Sequence, residues 1–373
     1  MKRILFIMSD LEGGGAEKAL ISLLKEFDYT KYKVSLCLLF RHGVYLDEIP
    51  SQVNTIFLFK SERSFFFRKA WKQYLKYNKS GALSLFIRMR LRKHYDVIIS
   101  YLEGHPVFWH NLILERGGKN ISWIHSDMAK YHLSHNCFFY GESDEKQCYS
   151  KMDKIVFVSE EAMNNFKKLY DITTPRCFLY NIINSDTIYH LASLNTARQK
   201  VLTITAIGSL LEVKGYDRLI RVAKMLQEDG CSFCIQILGQ GEREQELRRL
   251  ACRLGVEAQI KFLGFQKNPY PYLHESDIFV SISHSEGLSL VICEALILGV
   301  PVVATRTAGA LELLGEGKYG LIAEQNDFSI YVNIKKMIVS EPLRREYRIQ
   351  GLLRASAFDV KKTMEHFYNI IEV

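Results

Sequence analysis

Ser283 to Thr305 reads SHSEGLSLVICEALILGVPVVAT. Just before it, Asp277-Ile-Phe-Val-Ser-Ile-Ser283 is rich in β-formers, and Val302-Val303-Ala304-Thr305 is a second such run. Between them, Leu288 to Leu298 contains neither Gly nor Pro, and Gly299 and Pro301 close it. The spacing predicts strand, loop, buried helix and strand, a βαβ unit. The helix is apolar on nearly every side, so both its faces should be covered. Glu294 nevertheless sits in its middle, and a carboxylate there must be paired or must face a polar ligand. Glu286 lies eight residues earlier, in the loop before the helix. Eight residues of helix span about 12 Å. Backbone N–H groups between the two carboxylates would form an anion site. Carboxylate, helix start, carboxylate is an order that suits a sugar, its diphosphate and a ribose. On spacing alone, a structural ion pair for Glu294 and a solvated loop for Glu286 serve equally well.

The stretch closely resembles the Glu-x7-Glu signature of retaining glycosyltransferases with the two-domain GT-B fold. It is most similar to glycosyltransferase family 4, the glycosyl transferases group 1. The resemblance implies that Glu286 contacts the donor-sugar hydroxyls and that Glu294 holds the ribose.

The chain has 373 residues, 48% of them hydrophobic, enough for two domains that each bury a core. Met1-Lys-Arg leads directly into Ile4-Leu-Phe-Ile-Met8, an apolar run too short for a signal-peptide core, and no run approaches membrane-span length. The eight cysteines are scattered. The lone C-x-x-C, Cys231 and Cys234, lies within a strand-like segment and has no second pair, so free thiols in a reducing cytoplasm are expected. The net charge of +8 is concentrated: Lys60 to Lys93 holds eleven Lys or Arg and one acid, Glu62.

Along the chain, Lys2 to Ser9 reads as a strand. The glycine-rich loop Asp10-Leu-Glu-Gly13-Gly14-Gly15-Ala-Glu17 follows, then a helix, Ala16 to Phe27. Such a loop lets a phosphate approach the backbone, and this one resembles the family's Gly-Gly-Ala-Glu opening. Further strands are expected at Lys33–Phe40, Thr55–Phe59, Asp96–Ser100, Ile121–His125 and Ile155–Ser159, with a helix at Glu160–Leu169. Asn181 to Arg198 is polar and reads as an irregular hinge. A second alternation begins at Val201–Gly208 and continues through the helix Tyr216–Glu228, the strand Ser232–Gly239, the helix Glu242–Leu254 and the strand Ile260–Leu263. It ends at Gly320–Ala323. Alternating strands and helices imply doubly wound parallel sheets. The expected fold is therefore α/β of GT-B type, with two Rossmann-like domains facing a cleft. Residues 1–183 would form an acceptor-binding domain, completed by a C-terminal helix within 357–373 that the resemblance sends back to it. Residues 184–356 would bind the nucleotide-sugar donor.

Ala206-Ile-Gly208-Ser-Leu-Leu-Glu-Val-Lys214-Gly215 lies between a strand and a helix, where a cation can meet a diphosphate. It resembles the family's G-R-L-x-x-x-K-G, which assigns leaving-group stabilisation to Lys214. Ser209 stands in the usual Arg position, so a hydroxyl replaces one phosphate cation. Gly239-Gln-Gly241 resembles a turn near the nucleotide, and Gly264-Phe265 falls where the base should lie; ordinary turn glycines explain both equally well. The resemblance adds Gly14, Gly15, Gly208, Gly287, Leu288 and Ser289 as donor contacts. His125 ends a strand of the first domain, where the family often carries a His near the transferred sugar; Glu103 follows another strand and is a candidate for the acceptor. His132 and His135 lack the spacing of a metal site, and no Asp-x-Asp occurs. No metal or other cofactor is expected, as befits a metal-independent transferase.

These residues point to a cytoplasmic hexosyltransferase. It would move a sugar from a UDP-sugar to a lipid-linked or growing surface saccharide, as in polysaccharide, capsule or lipopolysaccharide synthesis. A UDP-sugar 2-epimerase of similar architecture is one alternative, separable by sugar conversion without acceptor. A non-catalytic partner subunit is another, though such a subunit should have lost the carboxylates. Nucleic-acid binding has no supporting motif. In the basic segment, Arg68, Lys72 and Lys76 recur every four residues, and Trp71, Tyr74 and Leu75 fall on another stripe. That pattern predicts an interfacial helix holding the protein peripherally on the anionic inner face of the plasma membrane.

Overall fold

Apolar runs too short for helices become strands in both halves of the chain. The structure is a computed structural model describing residues 1–61, 63–129, 139, 141–193 and 201–372. It divides into two compact units, Met1–Ile182 with Lys361–Val373, and Ile183–Val360. In the first, β1 (Lys2–Met8), β2 (Tyr32–Phe40), β3 (Asn54–Phe59), β4 (Tyr95–Ser100), β5 (Gly117–Ile124), β6 (Lys154–Phe157) and β7 (Arg176–Phe178) form one sheet. Its order is β3-β2-β1-β4-β5-β6-β7, and every pairing is parallel. Ile4 to Met8 are fully buried, as a parallel strand covered on both faces requires.

The second unit repeats the plan with β8 (Thr203–Ile207), β9 (Cys234–Leu238), β10 (Ile260–Gly264), β11 (Ile278–Ser281), β12 (Val302–Thr305) and β13 (Leu321–Ala323). Their order, β10-β9-β8-β11-β12-β13, is again all parallel. In each sheet the order reverses beside the first strand, between β1 and β4 and between β8 and β11. Crevices at the carboxyl ends of such strand pairs are where doubly wound sheets bind ligands.

The C-terminal helix Val360–Glu372 packs on the first sheet. Phe367 stacks on Phe6 and Trp123 at 6.5 and 5.9 Å between ring centroids, and Tyr368 stacks on Tyr32 at 5.2 Å. Lys119 Nζ donates to the Ile370 carbonyl at 2.8 Å.

Three expectations are corrected. Asn181–Arg198 is not irregular over its described part. It contains a helix, Ser185–Ala192, whose Asn184 N-cap accepts the Thr187 N–H at 2.9 Å. The helix after Glu286 runs Leu290–Ile297, not from Leu288, so the eight-residue spacing is part loop and part helix. The basic segment is two helices, Phe65–Tyr77 and Gly81–Arg90, and its main aromatic stripe is core. Phe67, Trp71 and Tyr74 are buried, with Trp71 against Phe108 at 5.0 Å and Tyr74 against Phe108 at 4.4 Å. Burying those rings outweighs leaving them at a surface, since each aromatic removes a large apolar area from water. Phe65, Phe66 and Tyr77 remain exposed among the cations.

Candidate functional site

The loop after β8 and the loop after β11 leave neighbouring strand ends at the reversal point of the second sheet. Lys214 ends the first in a 3-10 turn, Glu212–Lys214. Gly215 follows with φ +66°, and a Cβ there would meet the Ile282 carbonyl oxygen at 2.5 Å. Glycine is therefore required for the loops to approach. His284 N–H donates to the Val213 carbonyl at 2.8 Å and ties the loops together. Lys214 Nζ and Glu286 Oε1, 72 positions apart, meet in an ion pair. Ser283 Oγ donates to the same carboxylate oxygen at 3.1 Å. The pair is partly open, with side-chain exposures of 25% for Lys214 and 17% for Glu286.

Glu294 lies in the helix Leu290–Ile297, where Leu290, Ile292, Cys293, Ala295, Leu296 and Ile297 are all buried. Glu294 itself is 3% exposed, and Tyr270 Oη donates to its Oε1 at 3.2 Å. A carboxylate so enclosed, near the open loop of Glu286, combines a buried acceptor with a reachable one. Ahead of this helix, Gly287, Leu288 and Ser289 are buried. Gly309 N–H donates to the Glu286 carbonyl at 3.2 Å and holds the segment from β12's side.

Glycines cluster at the ends of β8, β9 and β10. Gly208 N–H donates to the Leu238 carbonyl at 2.9 Å and Gly239 N–H to the Gly264 carbonyl at 2.8 Å. Gly239 has φ +147°, and a Cβ there would lie 1.9 Å from the Gly208 oxygen, so the close backbone approach requires glycine at this position. Ser209 is exposed and Phe265 half-buried.

The remaining candidates belong to the first unit. Gly14 is the N-cap of the helix Gly15–Lys25, and a Cβ on it would meet Glu17 Oε2 at 2.3 Å. Burial pushes the Glu17 carboxyl up to about 7, helped by the charges of Asp10, Glu12 and Glu103. Glu103, after β4, is buried, and its Oε2 accepts the His125 N–H at 2.9 Å. Desolvation raises its pKa against hydrogen bonds from Ser126 and His125. His125 follows β5 with its ring 4.8 Å from Tyr101, and burial pulls it down to about 3, so it is neutral at physiological pH. A neutral imidazole there can donate or accept one proton but offers no charge. Sequence reading linked neither Glu17 nor Tyr270 to these groups. Glu17 was visible in the glycine motif, whereas nothing in the sequence marks Tyr270 as Glu294's partner.

His132 and His135 lie outside the described residues. Among those described, no group of three or more His, Cys, Asp or Glu is arranged to hold a metal ion. Nor is any described helix long and apolar enough to cross a membrane.

The family model of glycosyl transferases group 1 matches residues 194–352. A Campylobacter jejuni N-acetylgalactosamine-N,N'-diacetylbacillosaminyl-diphospho-undecaprenol 4-alpha-N-acetylgalactosaminyltransferase is 33% identical over 217 residues, covering 57% of this chain and 58% of that protein. A lipopolysaccharide core biosynthesis glycosyltransferase, LpsE of Rhizobium meliloti, is 32% identical over 138 residues, 37% of this chain and 39% of that one. The chain thus spans little more than half the length of the first of these relatives and less of the second. In fold, it is similar to Anabaena HepE, solved with UDP and glucose, at a TM-score of 0.77 and 18% identity over 100% of this chain and 99% of that one. Two parallel Rossmann-like sheets and this GT-B likeness agree with the match over residues 194–352, the part of the chain that carries Lys214, Glu286 and Glu294 and that is similar to the glycosyl transferases group 1 family.

Proposed function

We propose that the chain is a metal-independent, retaining glycosyltransferase that takes a hexosyl group from a UDP-sugar. The observation that carries this reading is the ion pair of Lys214 with Glu286 beside the reversal point of the second sheet, with Glu294 buried in the helix that follows the Glu286 loop. Lys214 neutralises the departing diphosphate, Glu286 accepts hydrogen bonds from the sugar hydroxyls, and Glu294 accepts them from the ribose. Gly208, Gly239 and Gly264 let the nucleotide approach the strand ends, with Phe265 against the base. Ser209 supplies a hydroxyl where a second cation is usual. In the first unit, Gly14 and Gly15 offer backbone N–H groups and His125 serves the transferred sugar. As the bond from the anomeric carbon to the diphosphate breaks, the acceptor oxygen bonds to that carbon on the same face and releases its proton. The charge that develops is on the leaving group, where a preorganised cation is most effective. Titration with EDTA tests metal independence: unchanged turnover is expected.

The acceptor in this reading is a lipid-linked saccharide, and the enzyme works peripherally on the cytoplasmic face of the membrane. Supporting this are the diphospho-undecaprenol in the name of the Campylobacter relative and the surface of residues 65–90. Phe65 is 80% exposed, Tyr77 55%, Leu85 61% and Met89 51%. Lys69 lies over the Phe65 ring at 6.0 Å, and Lys76 over Tyr77 at 5.0 Å. Among the described residues, Arg68, Lys69, Lys72 and Lys76 have no carboxylate partner, so they remain available to anionic headgroups. The direct test incubates the protein with UDP-glucose, UDP-galactose, UDP-N-acetylglucosamine and UDP-N-acetylgalactosamine, each with an undecaprenyl-diphosphate-linked saccharide. One donor should yield an acceptor longer by one sugar, with the donor's anomeric configuration kept. Conversion of the sugar while still nucleotide-bound, without acceptor, would instead make it an epimerase.

A further inference from the structure

The backbone that delivers Glu286 leaves the sheet at the end of β11, so its carbonyls lose their ladder partners. Side chains from three other elements replace them. Thr305 Oγ1, at the end of β12, donates to the Ser283 carbonyl at 2.6 Å. Gln325, just past β13, donates from Nε2 to the carbonyls of Ser283 at 3.2 Å, His284 at 3.4 Å and Arg306 at 3.1 Å. Arg218, in the first turn of the helix Tyr216–Glu228, donates from Nη2 to the Ile282 carbonyl. Its Nη1 donates to Gln325 Oε1 at 2.8 Å, which fixes the amide with its nitrogen towards the carbonyls.

Arg218 is only 4% exposed, yet its guanidinium is spent on neutral groups. The nearby carboxylates serve Arg221 instead: Asp217 Oδ2 accepts from it at 2.9 Å and Asp327 Oδ2 at 2.5 Å. Burying a cation against carbonyls alone is unfavourable compared with an apolar side chain of similar volume. Fold stability therefore does not account for it. Geometry does. The guanidinium reaches Ile282 past Gly215, where a Cβ would lie 2.9 Å from Nη2, and Gly215 directly follows Lys214. The clamp thus fixes the Glu286 loop against the Lys214 loop from behind.

We propose that Arg218 and Gln325 are positioning residues, which hold backbone 282–284 so that Glu286 and Lys214 meet the donor in the geometry the reaction needs. The proposal rests on the donor-site reading above. Neither residue touches the reacting atoms; each acts through Glu286. A displacement of about 1 Å at a reacting group can lower turnover by about a hundredfold.

The experiment is a double-mutant cycle between Gln325→Leu and Glu286→Gln, with the UDP-sugar turned over in the panel as substrate and UDP as the binding probe. Gln325 sits at the exposed rim, so its variant should fold, and a thermal melt checks it. Gln325→Leu should lower kcat about tenfold or more while KM and the UDP Kd stay within about threefold. In the Glu286→Gln background the same change should matter less than about twofold, because the group it positions is already disabled. Arg218→Lys keeps the charge but loses the two-pronged reach, and should repeat the pattern. Full turnover in Gln325→Leu, with Glu286→Gln inactive, overturns the clamp and leaves the donor site standing. Equal losses in both backgrounds also overturn it, since Gln325 would then act independently of Glu286. Full turnover in Glu286→Gln removes the donor-site reading and the clamp together.

Discussion

Glu286→Gln should improve UDP binding while it damages turnover. Without donor, Lys214 is committed to Glu286, so a diphosphate must compete with that carboxylate for the ammonium. Glutamine fills the same volume and still accepts from Ser283, but it releases Lys214. The pair is neither buried nor fully exposed, with side chains 25% and 17% accessible, so its strength falls near the top of the exposed range, about 1 kcal/mol. Removing that competition should tighten UDP about fivefold. Turnover should fall about a hundredfold, because an ionised acceptor for the sugar is lost in the transition state. Titration calorimetry with UDP and a UDP-release assay read the two effects separately, and high salt should shrink the affinity gain. UDP binding that weakens or stays the same, or turnover that survives, would refute the competition between the diphosphate and Glu286.

Lys214→Met should move affinity the other way: UDP binds about tenfold or more weakly and turnover falls about 10²-fold to 10³-fold, and a variant within threefold of the parent in a UDP-release assay removes Lys214 from the site. Glu17 gives a pH effect. From 4.5 up to about 7 the folded chain keeps a proton that the unfolded chain has released, so stability declines through that window and levels off above it. Glu17→Gln should abolish the decline and be more stable than the parent at pH 8, by about 1–3 kcal/mol, yet match it near pH 4.5; parallel melting curves would contradict this. The protein should sediment with vesicles of phosphatidylcholine and phosphatidylglycerol at low salt but not with phosphatidylcholine alone. Changing Arg68, Lys69, Lys72 and Lys76 to Glu should release it, each cation contributing about 1 kcal/mol; no preference for acidic vesicles would refute the membrane surface.

Much of the fold was legible because its central strands are largely buried and read as apolar runs. Val302–Thr305 and the helix Tyr216–Glu228 match the sequence reading residue for residue. The helix Ser185–Ala192 was missed because it buries only Ile188 and Ala192, too few to show a period, although Asn184 carried a capping signal. Trp71 and Tyr74 were placed on the wrong side because a helical period marks a stripe without saying what covers it. In the site, the Glu286 and Glu294 spacing was visible locally. The Lys214–Glu286 pair could be inferred only from topology that brings β8 beside β11. Arg218 and Gln325 left no sequence signal: their bond joins positions 107 residues apart, and its meaning lies in carbonyls that belong to a third segment.

The proposed function depends above all on the second unit holding a nucleotide through Glu294. Titration calorimetry of UDP against the parent and Glu294→Ala, both confirmed folded by thermal melt, tests it most directly. Saturable one-to-one binding by the parent is expected, with a loss of at least about tenfold in the variant, since a carboxylate accepting ribose hydroxyls contributes about 1.5–3 kcal/mol. No UDP binding by the parent, or equal binding by a folded Glu294→Ala, would contradict it.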